Sequence, residues 1–477
     1  MLCKLFLQEL IRIMNDMTKQ NPLGCESIPK LMINFAVPSI IAMLVGALYN
    51  IVDQIFIGQA VGPLGNAATN IAFPLSTSCI ALSLLFGIGG ASCFNLSMGS
   101  GKKDKAPYYI GNSAAMLTLS GIVLMAVTLI FLTPLLKLFG SPADVLPYAE
   151  DYVGITAVGF PFLILTTGGG HLIRADGSPK MTMICNITGA VINTVLDAVF
   201  VFGMDMGIKG AALATVIGQA VSAAIVIIYL LRYFKTTPLL RRNFIPNFSY
   251  IKRISSIGMA SFFNQVAMMI VQIVLNNLLG YYGAQSVYGE SIPIACSGII
   301  MKVSQVIFSV VIGLSQGAQP IQSFNYGAKQ YDRVRQAYRL AITYSAAISI
   351  ASFVLFQLFP REIIRIFGDG SAEYFDFGER FFRIFLFFTW LNCLQPVTTT
   401  FFTSIGKPIK GAFLSLTRQI IFLLPFLIIL PMFFGIDGII YTGPIADFLS
   451  AVVAVIMAAA EFRNMRKLEL DDNKAPV

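Results

Sequence analysis

The sequence predicts an all-α polytopic membrane protein with twelve transmembrane helices, arranged as two six-helix lobes that are related by a direct repeat. Three observations predict this class. Of the 477 residues, 56% are hydrophobic and only 12% are charged, and a soluble fold of this length could not bury so much apolar surface. Apolar runs long enough to cross a bilayer recur along almost the whole chain. The two halves also share turn motifs in the same order.

Charge clusters and Gly, Pro and Asn residues mark the ends of the predicted spans. The spans are predicted at residues 31–57, 68–98, 108–136, 152–173, 181–203, 210–231, 254–280, 291–323, 337–359, 381–403, 411–433 and 439–460. Most of the 33 Lys and Arg residues fall on the side of the membrane that holds both termini, which predicts that both termini are cytoplasmic. A basic face beside anionic lipid also accounts for the net charge of +9 without a nucleic-acid partner.

The longest polar interruption on the cytoplasmic side, Arg232 to Arg253, divides the chain into its two halves. The predicted regions are a cytoplasmic N-terminal segment (1–30), an N-lobe (31–234), a linker (235–252), a C-lobe (253–461) and a cytoplasmic tail (462–477). Charged residues interrupt the apolar residues of the N-terminal segment, which favours an amphipathic lead-in over a secretory signal. Met1, Met14 and Met17 are alternative starts of the protein.

The repeat is indicated by four pairs of motifs at nearly constant separation. The pairs are Gly62 and Gly65 with Gly280 and Gly283, Gly101 with Gly327, GSPK at 177–180 with GKPIK at 406–410, and GIKG at 207–210 with GIDG at 435–438. Copies with an even number of spans share one membrane orientation. Parallel repeats with a substrate cavity between them are a known plan for secondary transporters.

Asp53 places a carboxylate inside the first apolar span. A charge at membrane depth costs from about 2.5 to more than 10 kcal/mol, so such a residue is a functional-site hypothesis by default. In the fifth span Asn193 and Asp197 are four positions apart, as are Tyr49 and Asp53, so each pair shares a helix face. Counted from the span ends, Asp53, Asp197 and Thr215 lie at one depth, roughly 8 to 9 Å inside the outer boundary.

Two carboxylates that meet in a low dielectric cannot both stay charged without compensation, which suits a site that takes up and releases protons. The amide oxygen of Asn193 and the hydroxyl of Thr215 would complete a set of hard oxygen ligands for sodium. The residues alone do not choose between proton and sodium. The structural alternative is a hydrogen-bonded cluster that only ties three helices together.

Other side chains lead to weaker hypotheses. An adaptable wall of a drug cavity is one interpretation of six apolar residues, with ordinary core packing as the alternative: Met43, Phe262, Phe263, Met268, Met269 and Met301. Lys302 and Asp447 are close enough in depth to form an interhelical ion pair, an interpretation that we favour over substrate binding. Arg418 is expected to reach the cytoplasmic interface, and His171 and Arg174 are expected to contact headgroups or loops.

The composition argues against an enzyme. His171 is the only histidine, so a paired-histidine zinc site cannot be built. The seven cysteines show no CxxC spacing, and most of them fall inside predicted spans, where packing is expected instead of metal binding or disulfide formation. We therefore expect no catalytic residue, no resident metal and no cofactor other than a coupling ion.

Several of these stretches resemble the multidrug and toxic compound extrusion (MATE) family. They are YNIVDQIFIGQAVG at 49–62, the GSPK turn followed by NITGAVINTVLDAVFVFG at 186–203, and GIKGAALATVIGQ at 207–219. The opening NPLGCESIPKLMINFAVPSIIAML is similar to the MepA-type bacterial branch. The resemblance implies a V-shaped pair of six-helix lobes in the bacterial inner membrane. It also implies a monomeric antiporter, surrounded by membrane lipid, that exports cationic lipophilic drugs against proton or sodium entry.

Carried over to this sequence, the family's N-lobe cation site falls on Asp53, Asn193, Asp197 and Thr215, with Tyr49 beside it. The second lobe departs from some relatives, because amides stand where spans seven and ten carry acids in those proteins: Asn264, Gln265, Asn392 and Gln395. The first lobe is therefore expected to carry the coupling. The alternative function is a flippase of related architecture for a lipid-linked oligosaccharide or lipid, which would favour a cationic groove.

Overall fold

The computed structural model describes residues 21–289, 291–366 and 371–474, and this part of the chain is almost entirely helical with no β-strand. The long helices, numbered α1 to α12 in chain order, are α1 (Ile28–Val61), α2 (Pro63–Gly99), α3 (Ala106–Ile130), α4 (Leu146–Ala175), α5 (Pro179–Asp197), α6 (Gly207–Ile228), α7 (Phe248–Ala284), α8 (Ser291–Gly327), α9 (Tyr331–Leu358), α10 (Ala372–Phe385 and Leu394–Ser404), α11 (Pro408–Leu416 and Leu424–Phe434) and α12 (Ile436–Lys474). Short helices form at Pro22–Cys25, Leu132–Leu138 and Pro360–Ile366. Met1, Met14 and Met17 lie outside the described residues.

Eleven helices in the described ranges are long and apolar enough to cross a membrane, which confirms the all-α polytopic class. The predicted span 381–403 differs, because it is divided between the two pieces of α10. Pro396 lies in the first turn of the second piece. Proline has no N–H to bond the carbonyl four residues earlier, here that of Asn392, and its ring clashes with that carbonyl. The helix is therefore interrupted before this proline, and the count of twelve spans stays a prediction.

Left-handed backbone conformations reveal the repeat more accurately than the sequence motifs do. Residues with positive φ follow corresponding helices of the two halves at nearly constant separation: Gly62 with Gly289, Gly101 with Lys329, Gly177 with Gly406, and Gly207 with Gly435. The last two pairs were predicted. The counterparts predicted for Gly62 and Gly101 are displaced, because Gly280 lies within α7 and Gly327 ends α8. Lys329 takes the strained turn position itself, at φ 61°.

The two lobes touch along α1, α2, α7 and α8. A Cβ atom added at Gly258 on α7 would lie 1.8 Å from the carbonyl oxygen of Leu85 on α2, and one at Gly89 would lie 2.1 Å from that of Ile254. Since no side chain fits at such distances, the reciprocal glycines allow the two backbones to meet. These contacts lie near the end of the bundle where α1 and α7 begin, which is the predicted cytoplasmic end.

The stretch Gly313–Gly317 reads GLSQG and matches the GxSxG pattern of serine hydrolases. It lies inside the continuous helix α8, where Ser315 donates to the carbonyl of Val311 at 2.9 Å. The hydrolase motif requires a strained turn from a strand into a helix, so this stretch is no nucleophile elbow. Its glycines instead pack against α1, with added Cβ atoms 2.6 Å from the Cα atoms of Ile40 and Ala36.

Helix α1 contacts both lobes. Its first half packs against α8 of the second lobe, and its second half packs against α5 of the first. The segment before it is held to the second lobe by Arg333, which donates to the carbonyls of Leu23 at 3.0 Å and Glu26 at 2.7 Å. Asn325 donates to the same Leu23 carbonyl at 2.8 Å. Movement of α1 relative to one lobe therefore alters its contacts with the other lobe.

His171 and Arg174 are buried, each only 2% exposed, so the expectation that they contact headgroups or loops is wrong. Their side chains bond each other, with Arg174 Nη2 3.0 Å from His171 Nδ1. Nearby, Gln319 of α8 donates to Ser92 of α2 at 2.9 Å, which joins the two lobes. These polar groups are buried because α2, α4 and α8 pack against one another. The sequence shows only that His171 and Arg174 lie near a helix end, and it does not show which helices cover them.

Candidate functional site

The structure brings together Asp53, Asp197 and Thr215, which the sequence places at one depth, and Asn193, which shares a helix face with Asp197; they lie on α1, α5 and α6. Asp197 is fully buried and Asp53 is 8% exposed. Asn193 donates from Nδ2 to Thr215 Oγ1 at 3.2 Å, and the hydroxyl of Tyr49 lies 3.4 Å from the same Thr215 oxygen. A single hydroxyl thus links all three helices.

Local backbone features explain how these side chains meet. A Cβ atom at Gly218 of α6 would lie 2.7 Å from the carbonyl oxygen of Gly189 on α5. This close approach of the two helices lets Asn193 reach Thr215. Asp197 ends the regular part of α5, and a π-helical segment, Ala198–Gly203, follows directly. Such widened turns are frequent at functional sites because they redirect side chains.

Four oxygen atoms of the cluster are buried and have no hydrogen-bond partner among the described residues: Asp53 Oδ1, Asn193 Oδ1, and both Oδ1 and Oδ2 of Asp197. A buried polar atom without a partner costs about 1 to 3 kcal/mol, and more if it is charged. A proton or a hard cation would satisfy these oxygens. The described residues contain no group of three or more His, Cys, Asp or Glu side chains that could hold a metal ion.

Tyr152 of α4 also belongs to this cluster, and the sequence reasoning missed it. It packs against the small apolar group of Ile57, Val201 and Ala211 and lies within electrostatic reach of the two carboxylates. Its position, six residues after the first residue of α4, Leu146, corresponds to a depth of about 9 Å from the predicted outer side. The predicted fourth span begins at residue 152, which places Tyr152 at the membrane boundary, so the depth count that selected Asp53 did not find it.

In the second lobe Asp447 forms an ion pair, although with a different partner from the predicted Lys302. Arg418 Nε lies 2.6 Å from Asp447 Oδ1, and Asn392 donates to Oδ2 at 2.8 Å. Lys302 is exposed. The prediction compared depths only, whereas the packing of α11 against α12 decides which basic residue reaches the carboxylate. Arg418 therefore does not reach the cytoplasmic interface as expected.

A second buried acid of this lobe, Glu461, is also neutralised. Lys407 binds one of its carboxylate oxygens and Lys410 binds the other at 2.7 Å. Gln395, one of the amides that replace acids, donates to the backbone carbonyl of Leu414 at 3.1 Å. These buried polar groups of the second lobe have partners inside the protein, in contrast to Asp53 Oδ1 and both carboxylate oxygens of Asp197, which have none among the described residues.

The six apolar residues predicted for a cavity wall are distributed over three helices, namely α1, α7 and α8. Phe263 is 40% exposed and Met268 is 46% exposed, whereas the other four are half-buried. Phe262 and Phe263 form an edge-to-face pair with ring centroids 5.8 Å apart. Met301 packs against the apolar core of the second lobe, which suits the alternative of core packing. The cavity assignment stays a prediction.

The comparisons with known proteins agree with this architecture. The sequence pattern of the MatE family matches residues 38–199 and 260–429, once in each half. The multidrug export protein MepA of Staphylococcus haemolyticus is 25% identical over 431 residues, which cover 90% of this chain and 93% of that protein. MepA of Staphylococcus aureus is 24% identical over 428 residues, with the same coverage of both chains.

Solved structures share the fold. A multidrug resistance MATE family transporter of the MOP superfamily, in an outward-facing conformation, has a TM-score of 0.86 at 22% identity and covers 94% of this chain and 99% of its own. A MOP superfamily transporter from Pyrococcus furiosus has a TM-score of 0.87 at 21% identity, with the same coverage. Because the family pattern matches well over half of the residues, the chain belongs to the MatE family of multidrug and toxic compound extrusion (MATE) transporters.

Proposed function

We propose that the protein is a secondary active multidrug efflux antiporter, which exports cationic lipophilic compounds in exchange for protons or sodium. The observation that carries this proposal is the pair of buried acids on α1 and α5, Asp53 and Asp197, with three carboxylate oxygens that have no partner among the described residues. Burial without compensation is expensive. Oxygens without a partner can bind a small cation that the site takes up and releases. In a purely structural cluster, these oxygens would accept hydrogen bonds from other residues.

The contrast between the lobes supports the first lobe as the coupling site. Asp447 and Glu461 in the second lobe are held by Arg418 and by two lysines. A carboxylate already paired with a cation has little affinity for a second one. The unpaired acids of the first lobe are therefore the better candidates for ion uptake.

Helix α1 offers a route from ion uptake to the arrangement of the lobes. It carries Asp53 in the half that packs on α5, and its other half packs on α8. Ion binding that alters the contact between α1 and α5 would bias the position of the second lobe, and drug binding would bias ion affinity by the same factor. Exchange of one ion for one monovalent drug cation moves no net charge, so the ion gradient alone drives it. A second ion adds about 2.3 kcal/mol per 100 mV, which corresponds to roughly a further fiftyfold in the drug gradient.

The relatives and the distribution of charge support a proposal for the membrane location, the orientation and the oligomeric state of the protein. The relatives that carry the name multidrug export protein are bacterial, which suits drugs as substrates and the bacterial inner membrane as the location. The predominance of basic residues on one side favours cytoplasmic termini. A monomer suffices, because both lobes of the transporter lie in one chain.

The alternative, a flippase for a lipid-linked oligosaccharide or lipid, requires cationic groups for a pyrophosphate. The polar layer of the first lobe is acidic, and Arg418 of the second lobe is already bound to Asp447. These charges favour a cationic substrate. Transport of an anionic lipid-linked sugar by the purified protein, without drug transport, would establish the alternative instead.

The test measures ethidium efflux in proteoliposomes under a proton gradient or a sodium gradient imposed separately. Asp53→Asn and Asp197→Asn are each expected to abolish efflux that is driven by the coupling ion. Asp205→Asn is the matched control, because Asp205 is an exposed acid just beyond α5, and asparagine tolerates its φ of 53°. Unchanged transport in both buried variants would remove the proposed mechanism, and the gradient that drives efflux identifies the ion.

A further inference from the structure

An open groove of about 800 Å³ lies between α9 and α12 in the second lobe, remote from the carboxylate cluster. It is lined by Asp332, Arg335, Gln336, Arg339, Arg466, Glu469 and Leu470. The lining positions recur every three or four residues on each helix, so each helix presents one face to the groove. The groove lies where α9 begins and α12 ends, at the predicted cytoplasmic surface of the membrane.

The three arginines of the groove differ in their pairing with acids. Arg335 is buried, with its side chain 9% exposed, and binds both Asp332 and Glu469, the latter at 2.8 Å. The contact with Glu469 joins the two helices, whereas Asp332 lies on the same helix as Arg335, with its side chain 81% exposed, and is also near the charge of Arg339. Arg339 and Arg466 are exposed, and neither forms a salt bridge with a carboxylate among the described side chains. Three guanidinium groups against two carboxylates leave a net positive charge, and two of those groups are available to a ligand.

The same helix faces become apolar toward the membrane. On α9 the face of Arg339 continues to Ile350, which is 49% exposed, and Val354, which is 46% exposed. On α12 the face of Arg466 continues to Val455, which is 52% exposed. A ligand with an anionic head and hydrocarbon chains would match both parts of this surface. A soluble anion would use the arginines alone.

We propose that the groove binds the phosphate headgroup of an anionic phospholipid, with Arg339 and Arg466 as its ligands and the acyl chains along the exposed apolar faces of α9 and α12. Guanidinium forks match phosphate oxygens in geometry and charge. Basic pockets between transmembrane helices on the cytoplasmic side commonly hold such headgroups. The bridge from Arg335 to Glu469 sets the width of the groove.

Native mass spectrometry of the full chain in detergent tests this assignment, with phosphatidylglycerol as the probe and phosphatidylcholine as the neutral comparison. The double variant Arg339→Gln/Arg466→Gln is expected to bind phosphatidylglycerol about thirtyfold more weakly, from the usual contribution of one basic residue at a membrane surface taken twice. The matched control is Arg241→Gln/Arg242→Gln, which removes two exposed arginines from the connection between α6 and α7. This variant is expected to bind phosphatidylglycerol as the unaltered protein does.

The double variant Arg339→Lys/Arg466→Lys is expected to retain part of the affinity, since it keeps the charge and loses only the forked geometry. Equal binding of phosphatidylglycerol by the unaltered protein and the glutamine variant would overturn the proposal, as would equal binding of phosphatidylcholine. Displacement of the lipid by millimolar inorganic phosphate would assign the groove to a soluble phosphate compound and also overturn it. Both arginine sites are on the surface, so a thermal melt of each variant serves as the folding control.

Discussion

Asn193 donates a hydrogen bond to Thr215 across helices α5 and α6, at 3.2 Å between Nδ2 and Oγ1. This bond uses the amide nitrogen and leaves the amide oxygen buried, with no partner in the part of the chain that the structure describes. The oxygen therefore belongs with the carboxylates of Asp53 and Asp197, and the nitrogen serves to orient it. In this arrangement Thr215 is a positioning residue for the proposed cation site.

Thr215→Val tests that role. Valine removes the hydroxyl, so Asn193 Nδ2 and the Tyr49 hydroxyl both lose the contact that links them. We expect a loss of about 1 to 3 kcal/mol in stability and weaker dependence of efflux on the driving ion. A thermal melt in detergent measures the first effect, and transport at graded ion concentrations measures the second.

Thr118→Val is the matched control, since Thr118 bonds only the backbone carbonyl of its own helix at Ala114. If Thr215→Val shifts neither the melt nor the ion concentration for half-maximal transport, the hydroxyl does not position the site.

Asp447 and Arg418 provide a test of stability in the second lobe. Arg418→Met leaves a buried carboxylate without its cation, which typically costs about 3 to 5 kcal/mol. We expect a much lower melting temperature for this variant and a smaller loss for the double variant Arg418→Met/Asp447→Asn, in which no charge is stranded. Lys302→Met is expected to be close to neutral, because Asp447 does not depend on it. A severe loss with Lys302→Met and a small one with Arg418→Met would contradict this pairing.

Gly258 tests the contact between the lobes. An added Cβ atom would lie 1.8 Å from the carbonyl oxygen of Leu85, so Gly258→Ala must push α7 away from α2. We expect a loss of several kcal/mol, typical of overpacking at its upper end, or a shift of the protein away from this arrangement of the lobes. Spin labels on α2 and α7 at the predicted cytoplasmic end would report a longer distance.

Gly298 supplies the control for that experiment. It is an exposed glycine within α8 with no atom within 4 Å of an added Cβ. Gly298→Ala is expected to stabilise the helix by up to about 1 kcal/mol, because alanine has the higher helix propensity. A destabilising effect of equal size at both positions would show that the loss at Gly258 does not arise from the lobe contact.

The double variant Arg339→Gln/Arg466→Gln in the groove between α9 and α12 makes a fourth prediction with a functional readout. If an anionic lipid occupies the groove, efflux in vesicles of phosphatidylcholine alone is expected to differ little between the unaltered protein and Arg339→Gln/Arg466→Gln. Any difference between them should emerge only when phosphatidylglycerol is added. A constant difference in both kinds of vesicle would assign the effect of the arginines to something other than lipid.

Some features of the site could be predicted because they depend on helix geometry alone. Asn193 and Asp197 share a face whatever α5 packs against, and Asp53 and Thr215 have depths set by their distance from the helix ends. The structure brings these residues together, and their role in transport stays a prediction. Tyr152 was missed because the predicted fourth span begins at residue 152, whereas α4 begins at Leu146.

Other features could not be predicted, since they depend on which helices become neighbours. The partner of Asp447 was decided by the packing of α11 on α12, and the burial of His171 and Arg174 by the contact of α2, α4 and α8. The break in α10 was not predicted, although Pro396 is visible in the sequence, because the apolar residues around it favoured one continuous span at 381–403.

The sequence by itself determined the membrane class, the repeated halves and which polar side chains share a helix face, because hydrophobicity and helical periodicity act locally along the chain. Only the tertiary structure decided which buried charges are neutralised and which are left open. Neutralisation depends on the rotation and close approach of helices that are distant in sequence, and glycine contacts such as Gly89 with Ile254 and Gly258 with Leu85 control that approach.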